Sequence, residues 1–281
     1  MKEAERKLPI LNRIVLFTVL SIGAILFSLP LIWMLFTAVK APSEVFSQTR
    51  FIPSQIHWEN FKAVFEQPTL PFARFFLNTT IITLFVGIFG LTASSFVAFG
   101  FARLKFAGRE TLFMAVLATM MVPWVVIMIP QFVIFQKLGW IDTLLPLTIP
   151  SLAGSAFQIF FLRQFFMTLP EDLFEAARID GCSNFRICWS IAIPLAKPTI
   201  ATLAIFSFLN SWNDFMGPII YLQSIENRTL AIGLAMFSNM FGTQWNLLMA
   251  AATIAVIPIL VIFFSFQRYF EKGLVMSGLK G

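Results

Sequence analysis

The sequence predicts an all-α integral membrane protein with six transmembrane helices. Its 281 residues are 58% hydrophobic and only 12% charged, and the mean hydropathy is +0.82. Soluble domains carry about 25% charged residues, so this composition excludes a water-soluble chain. Long uncharged runs and an uneven distribution of basic residues indicate the same fold class.

Six runs are long and apolar enough to be spans, because a helix needs about 20 apolar residues to cross the hydrocarbon core. They are Ile14–Val39, Phe75–Ala102, Thr111–Gln136, Thr143–Leu162, the run from Lys197 to Tyr221, and Leu247–Phe266. The last is the end of a longer uncharged stretch, Thr229–Gln267, which Gly233, Gly242 and a polar cluster divide into an approach segment and a span. The first run is longer than the apolar region of a signal peptide, so we interpret it as an uncleaved helix.

The basic residues predict the orientation, because cytoplasmic loops carry an excess of Lys and Arg. With the N-terminus inside, fourteen of the 20 basic residues lie in inside segments and six lie outside. Both termini are therefore expected in the cytoplasm. The net charge of +6 follows from this topology and from attraction to anionic lipid, and it gives no reason to invoke nucleic acid.

Three segments follow from this topology. Residues 1–74 form an N-terminal transmembrane helix and an external loop, residues 75–268 form the transmembrane core, and residues 269–281 form a cytoplasmic tail. The loop Lys40–Arg74 can form short amphipathic pieces that lie against a partner or the lipid surface. The stretch Ser224–Asn246 is either an ordinary loop or a docking element for an external protein.

No catalytic or metal-binding constellation is visible in the sequence. Cys182 and Cys188 match neither a zinc pair nor a redox C-x-x-C, and the single His57 has no cluster of carboxylates or cysteines near it in sequence. There is no G-x-x-x-x-G-K-[ST] loop. We therefore predict that the chain is not an enzyme, holds no cofactor, and depends on another subunit for any use of ATP.

The most informative segment lies between the fourth and fifth predicted spans and reads EDLFEAARIDGCSNFRICWSIAIPLAKP. Pro170 followed by Glu171 and Asp172 is typical of a helix start, where the dipole favours negative charge. Gly181 supplies the expected stop. A ten-residue helix is marginal alone in water, so its own chain or a partner surface must hold it.

This segment resembles the EAA loop of permease subunits of binding-protein-dependent ABC importers. The pattern is Glu175, Ala176 and Ala177, three further residues, Gly181, nine residues, and then Ile191-x-Ile193-Pro194. Its only departure is Ile193 where Leu is usual, a change that conserves volume. With Asp180, the Trp212-Asn213-Asp214-Phe215 segment and the terminal GLVMSGLKG, the chain resembles the MalG-like carbohydrate importers over nearly its whole length.

The resemblance implies a type I ABC importer permease fold in a prokaryotic cell membrane, with residues 75–268 as the permease core. It implies that Glu175, Ala176, Ala177, Asp180 and Gly181 shape a cytoplasmic coupling helix that docks on a cytosolic ATPase. The implied partners are two such ATPase subunits, which bind ATP and Mg, a second homologous permease and an extracytoplasmic sugar-binding protein. The terminal residues Gly278, Leu279 and Lys280 either contact the ATPase as well or form a frayed end.

Asp214 is the one acidic residue within a predicted span, where charge is costly and usually faces a bundle interior or a water-filled path. With Trp212 and Asn213 it offers hydroxyl acceptors beside an aromatic face, which suits a sugar in a translocation pathway. The alternative is a structural hydrogen bond to a neighbouring helix or to the partner permease. The structural role is favoured, because in MalG-like subunits the companion can supply most sugar contacts.

The main alternative function is an ion-coupled secondary transporter. It predicts more intramembrane acids or an internal repeat across two halves, and the sequence shows one such acid and no clear repeat. A membrane-embedded enzyme would need paired acids, a metal set or a nucleophile within a span. The resemblance to MalG-like permeases thus implies a sugar importer subunit, with oligosaccharides as the expected substrates.

Overall fold

The computed structural model describes residues 10–46, 51–239 and 244–278, with side chains for all of these except 239 and 268–278. Every regular element in these ranges is helical, which confirms the all-α prediction. Outside the described residues lie Lys2, Arg6 and Lys7, three of the inside basic residues that predict the orientation, and also Gly242, Leu279 and Lys280. The principal helices are α1 (Ile10–Ala38), α2 (Glu59–Phe65), α3 (Phe72–Arg103), α4 (Arg109–Thr119), α5 (Trp124–Lys137), α6 (Ala156–Thr168), α7 (Glu171–Ile179), α8 (Asn184–Leu195), α9 (Lys197–Trp212), α10 (Met216–Tyr221), α11 (Leu230–Asn239) and α12 (Trp245–Gly278).

The candidate membrane spans number four to six within the described ranges, by length and composition. Four single segments qualify: Ile10–Ala38, Phe72–Arg103, Leu145–Thr168 and Trp245–Gln267. The pairs α4 with α5 and α8 with α9 qualify only if each pair is one span, because they bend by 96° and 82°. The predicted count of six corresponds to the upper end of this range.

The third predicted span is broken, which the uncharged run did not indicate. Helix α4 ends at Thr119, and α5 begins at Trp124 directly after Pro123. Proline lacks the backbone N–H that would continue a helix and disfavours helical backbone in the residue before it. Hydropathy is insensitive to such a break, because every residue from Met120 to Trp124 is apolar.

Helices α3 and α6 pack closely around small residues. The hydroxyl of Ser94 in α3 donates to Gln158 Oε1 (2.8 Å) and accepts the backbone N–H of Ser155 (3.0 Å). Gly154 just before α6 has φ of +80°, and a Cβ there would lie 3.1 Å from the Ser94 hydroxyl oxygen. The turn before α6 therefore requires glycine for both its backbone and its close approach.

A buried apolar cluster lies where α3, α6, α7 and α8 meet. Its members include Phe99 from α3, Leu162 and Phe166 from α6, Phe174 from α7 and Ile187 from α8. Phe99 makes edge contacts with Phe166 and with Phe174, each with centroids 6.1 Å apart. The short helix α7 is thus held by its own chain on one face.

The described chain divides into two compact units. One comprises described residues of Met1–Gln67 and Leu234–Val256, and the other those of Pro68–Gly233 and Ile257–Gly281. The predicted segments 1–74, 75–268 and 269–281 follow membrane topology instead of packing, and they stay a prediction. In the first unit, the side-chain amide of Asn60 in α2 donates to the carbonyls of Ala38 and Lys40, both at 2.9 Å.

The predicted orientation can be tested with the two cysteines. Cys182 is half-buried between α7 and α8, and Cys188 is buried. We expect a membrane-impermeant maleimide to label Cys182 in inverted vesicles and neither cysteine in intact spheroplasts. A Ser54→Cys variant, exposed in the predicted external loop, should be labelled in spheroplasts and serves as the control. Labelling of Cys182 from outside would reverse the topology.

Candidate functional site

Helix α7 contains the EAA pattern and ends as the sequence predicts. Glu171 and Asp172 lie in its first turn, and Gly181 follows its end with φ of +77°. The N–H of Cys182 donates to the Ala177 carbonyl (2.9 Å) and the N–H of Gly181 to the Arg178 carbonyl (3.0 Å). This pair of bonds is a Schellman motif, which satisfies the last carbonyls of a helix and needs a left-handed residue after it.

The two faces of α7 differ in exposure. Phe174 is fully buried and Ala177 is 7% exposed, so both belong to the core cluster. The predicted coupling residues Glu175, Ala176, Asp180 and Gly181 are all exposed. The structure thus places four of the five on an open face, and it places Ala177 against the body of the chain.

Arg103, at the end of α3, holds α7 in position. Its guanidinium is largely buried and donates to the backbone carbonyls of Phe166 and Leu169, with Nε to Phe166 at 3.0 Å. The same group pairs with the Glu171 carboxylate and lies 4.4 Å from the centroid of the Phe174 ring. One side chain therefore joins the ends of α3 and α6 to the first turn of α7.

Glu171 is the acidic partner in this cluster. Arg178 donates to it from the last turn of α7 at 3.3 Å. Burial opposes the charge of Glu171, but the hydrogen bond from Arg178 and the charge of Arg103 outweigh that effect and hold its pKa below the ordinary value. The carboxylate is therefore ionised at neutral pH and available to both arginines.

A second buried arginine joins α6 to α4. Arg163 Nη2 contacts both carboxylate oxygens of Glu110 at 3.0 Å, and its Nε donates to the Phe101 carbonyl at 3.3 Å. The guanidinium carbon lies 4.0 Å from the centroid of the Phe113 ring. In the sequence, Arg103 and Arg163 contribute only to the predicted orientation, as two of the inside basic residues, because neither stands in a motif.

A third polar cluster joins the loop after α5 to the segment that follows α10, on the predicted external side. The Asp142 carboxylate accepts hydrogen bonds from the backbone N–H groups of Gln223 (2.9 Å) and Ser224 (2.8 Å). The backbone carbonyl of Asp142 accepts one from the side-chain amide of Asn227 at 2.6 Å. Burial opposes its charge, but the hydrogen bonds, chiefly from Ser224, outweigh that effect and lower its pKa to about 2. Asn78 in α3 donates to the Arg228 carbonyl at 3.0 Å. The segment 222–228 is thereby fixed at two points.

Trp212, Asn213 and Asp214 do not share one surface. Trp212 is 5% exposed and packs against Phe76 and Phe208, with centroids 5.5 and 5.2 Å away. The Asn213 side chain donates to the Leu209 carbonyl at the end of α9 (2.8 Å). Asp214 Oδ1 accepts the N–H of Gly217 (3.1 Å) in the first turn of α10, which satisfies a donor that has no partner within the helix.

Asp214 also lines a cavity of about 950 Å³ in the second unit. Trp212 and Asn213 are not among its lining residues in the described part of the chain. Amide and hydroxyl groups from α5, α6, α9 and α10 line it, and so do aromatic rings that include those of Trp124 and Phe157. The polar side chains that line it include Gln131, Gln158, Ser207, Asn210, Ser211 and Tyr221. The structure therefore keeps Asp214 as a pathway candidate and places Trp212 in the core.

No group of three or more His, Cys, Asp or Glu residues suited to a metal ion occurs in the described residues.

Comparison with known proteins shows the family. Residues 90–276 match the model of the binding-protein-dependent transport system inner membrane component. An arabinooligosaccharide permease protein of Halalkalibacterium halodurans is 36% identical over 231 residues, 82% of each chain. A trehalose/maltose permease protein of Thermococcus litoralis is 31% identical over 97% of this chain and 98% of its own length. The sn-glycerol-3-phosphate permease protein of Yersinia pestis is 33% identical over 99% of both chains.

Solved structures show the same fold. A chain of a bacterial ABC transporter that imports the acidic polysaccharide alginate superposes with a TM-score of 0.81, at 24% identity, over 92% of this chain and 96% of that chain. The resemblance to MalG-like permeases is thus confirmed, and the ion-coupled secondary transporter is disfavoured. The chain belongs to the binding-protein-dependent transport system inner membrane components and is the non-catalytic, multi-pass permease subunit of a bacterial ABC importer that works with a periplasmic binding protein.

Proposed function

We propose that this chain forms half of the translocation pathway of an oligosaccharide importer and that α7 couples it to a cytosolic ATPase. The observation that carries the proposal is the arrangement of α7, which is fixed on one face by Phe174 and Arg103 and open on the other. Such a helix can transmit a displacement to α3 and α6 instead of absorbing it. The relatives named for arabinooligosaccharides and for trehalose and maltose support a sugar as the substrate.

In the mechanism we propose, this subunit performs no chemistry on the substrate. A periplasmic binding protein delivers the sugar to a path between this chain and a second, homologous permease. Two ATPase subunits, which bind ATP and Mg, close on ATP and favour one of two permease states. Their motion reaches the membrane through α7, and the two permeases alternate between outward-facing and inward-facing states. Glu175, Ala176, Asp180 and Gly181 form the docking face, and Ala177 supports it from beneath.

The docking face is tested by Glu175→Lys in the reconstituted complex. Glu175 is exposed on α7, so the charge reversal should leave folding intact while it opposes the partner surface. We expect uptake of radiolabelled oligosaccharide to fall at least about tenfold, equivalent to about 1.4 kcal/mol of lost coupling. The ATPase should either co-purify poorly or hydrolyse ATP without responding to loaded binding protein.

The matched control is Glu66→Lys. Glu66 is also exposed and pairs with Lys62 at 3.1 Å on the predicted external side, where such a surface pair contributes little. Its uptake and stimulated ATPase activity should equal those of the native complex. Normal assembly and normal stimulation in Glu175→Lys would remove α7 from the coupling role.

A further inference from the structure

The described part of the cavity lining carries a single charged side chain. Among the described residues that line the cavity, Asp214 is the only charged one, and no lysine, arginine or histidine faces it. The other polar groups are amides and hydroxyls, including those of Gln131, Asn210 and Ser211. The family does not decide the charge of the substrate, because its members include proteins named for uncharged sugars and for glycerol phosphate.

Two groups in the lining are available to a ligand. The side chain of Asn210 is exposed and forms no hydrogen bond with any residue that the structure describes, so its amide has both donors and its acceptor free. Asp214 uses Oδ1 for the Gly217 N–H and retains further acceptor capacity. The two residues lie four positions apart, at the junction of α9 and α10.

This lining treats anions and uncharged polyols differently. An anion that enters loses its water shell without meeting a cation, and it is repelled by the Asp214 carboxylate. An uncharged polyol exchanges water for amide and carboxylate partners, and its C–H faces can pack on the rings of Trp124 and Phe157. The same surface thus disfavours one class of ligand and accommodates the other.

We propose that this cavity selects uncharged polyhydroxyl ligands and excludes anions, with Asn210 and Asp214 as its ligand contacts. The inference rests on the proposed function in one respect, namely that the cavity belongs to the translocation path. It assigns the substrate to the neutral sugars, so sugar acids, sulfated sugars and sugar phosphates are excluded at the permease itself, in addition to any selection by the binding protein.

The electrostatic selection can be measured with a cysteine in the cavity. Ser211→Cys in a Cys182→Ser background places one accessible thiol in the lining, since Cys188 is buried. Three methanethiosulfonates, with hydroxyethyl, trimethylammonium-ethyl and sulfonatoethyl groups, are applied to the assembled complex with and without ATP. The rate of each reagent with the protein thiol is divided by the rate of the same reagent with 2-mercaptoethanol in solution. We expect the sulfonate to react at least about tenfold more slowly than the hydroxyethyl reagent.

Two effects slow the sulfonate, namely loss of its water shell and repulsion by the Asp214 carboxylate, and the variant Asp214→Asn separates them. It keeps an acceptor for the Gly217 N–H but removes the charge, so the sulfonate rate should rise toward that of the hydroxyethyl reagent. Adding Asn210→Arg should make the sulfonate the faster of the two. Equal normalised rates for the sulfonate and hydroxyethyl reagents in the Ser211→Cys protein would overturn the selectivity. If none of the reagents reacts in any state, the cavity is not on the path, and that part of the proposed function is lost as well.

Discussion

Replacing Arg103 with Met should disconnect ATP hydrolysis from transport. Methionine keeps most of the apolar stem of Arg103 but cannot form the hydrogen bonds to Glu171 and to the carbonyls of Phe166 and Leu169. A hydrogen bond from a charged group contributes about 1.5 to 3 kcal/mol, and of these partners the Phe166 carbonyl keeps the Leu169 N–H. The start of α7 should therefore detach while the six-span frame still inserts. We expect uptake to fall at least about tenfold, with basal ATPase activity no longer stimulated by loaded binding protein.

Two comparison variants make this result specific. Arg109→Met removes a more exposed arginine near the same end of the bundle, which pairs with Glu110 at 2.9 Å, and it should transport nearly normally. Arg103→Lys keeps the charge but cannot bond both carbonyls and the carboxylate from one planar group, so it should be intermediate. Native stimulation in Arg103→Met, with the complex intact on a sizing column, would contradict the role of Arg103 in coupling.

Gly181→Val is the second substitution with a large expected effect. Gly181 has φ of +77°, and a Cβ at this position would meet no atom of the described residues within 4 Å. Among these residues the cost is therefore backbone strain, and it is high because a β-branched residue tolerates left-handed backbone poorly. We expect the Schellman bonds to Ala177 and Arg178 to break, the protease sensitivity of α7 to rise, and uptake to fall to near background.

Gly181→Asn is the informative partner of this variant, because Asn adopts left-handed backbone more readily than other residues with a side chain. If the strain alone matters, Asn should restore protease resistance and most of the uptake. If Asn restores the resistance but not the uptake, the ATPase surface approaches Gly181 too closely for any side chain. Native uptake in Gly181→Val would exclude both roles and would count against α7 as the docking element.

The sequence was sufficient for the features that depend on neighbouring residues. The charge-free runs located the candidate spans, and the acidic start and Gly181 fixed α7 within two residues. It was insufficient for features that depend on contacts distant in sequence. Arg103 and Arg163 look like ordinary cytoplasmic charges until α3, α6 and α7 are packed together. Asp142 carries no signal at all, because its partners lie more than 80 positions away.

The Trp212 to Asp214 segment shows the same limit at the candidate pathway. Adjacent residues near a helix end point in different directions, since each turns the chain by about 100°. The sequence grouped the indole with the carboxylate, whereas packing against Phe76 and Phe208 takes Trp212 into the core. Other aromatic residues line the cavity: Trp124 and Phe157 come from other helices, and Phe206 comes from α9 itself.

The hydrogen bonds of Asp142 have a consequence for association on the predicted external side. Flexible loops pay conformational entropy when a partner orders them, and that cost reduces affinity. The segment 222–228 is already ordered in the free subunit, by Asp142 at one end and Asn78 at the other. A periplasmic protein that binds this segment would meet a preorganised surface, so its affinity would not be reduced by the cost of ordering the loop. Because the pKa of Asp142 is about 2, this preorganisation would persist in an acidified periplasm.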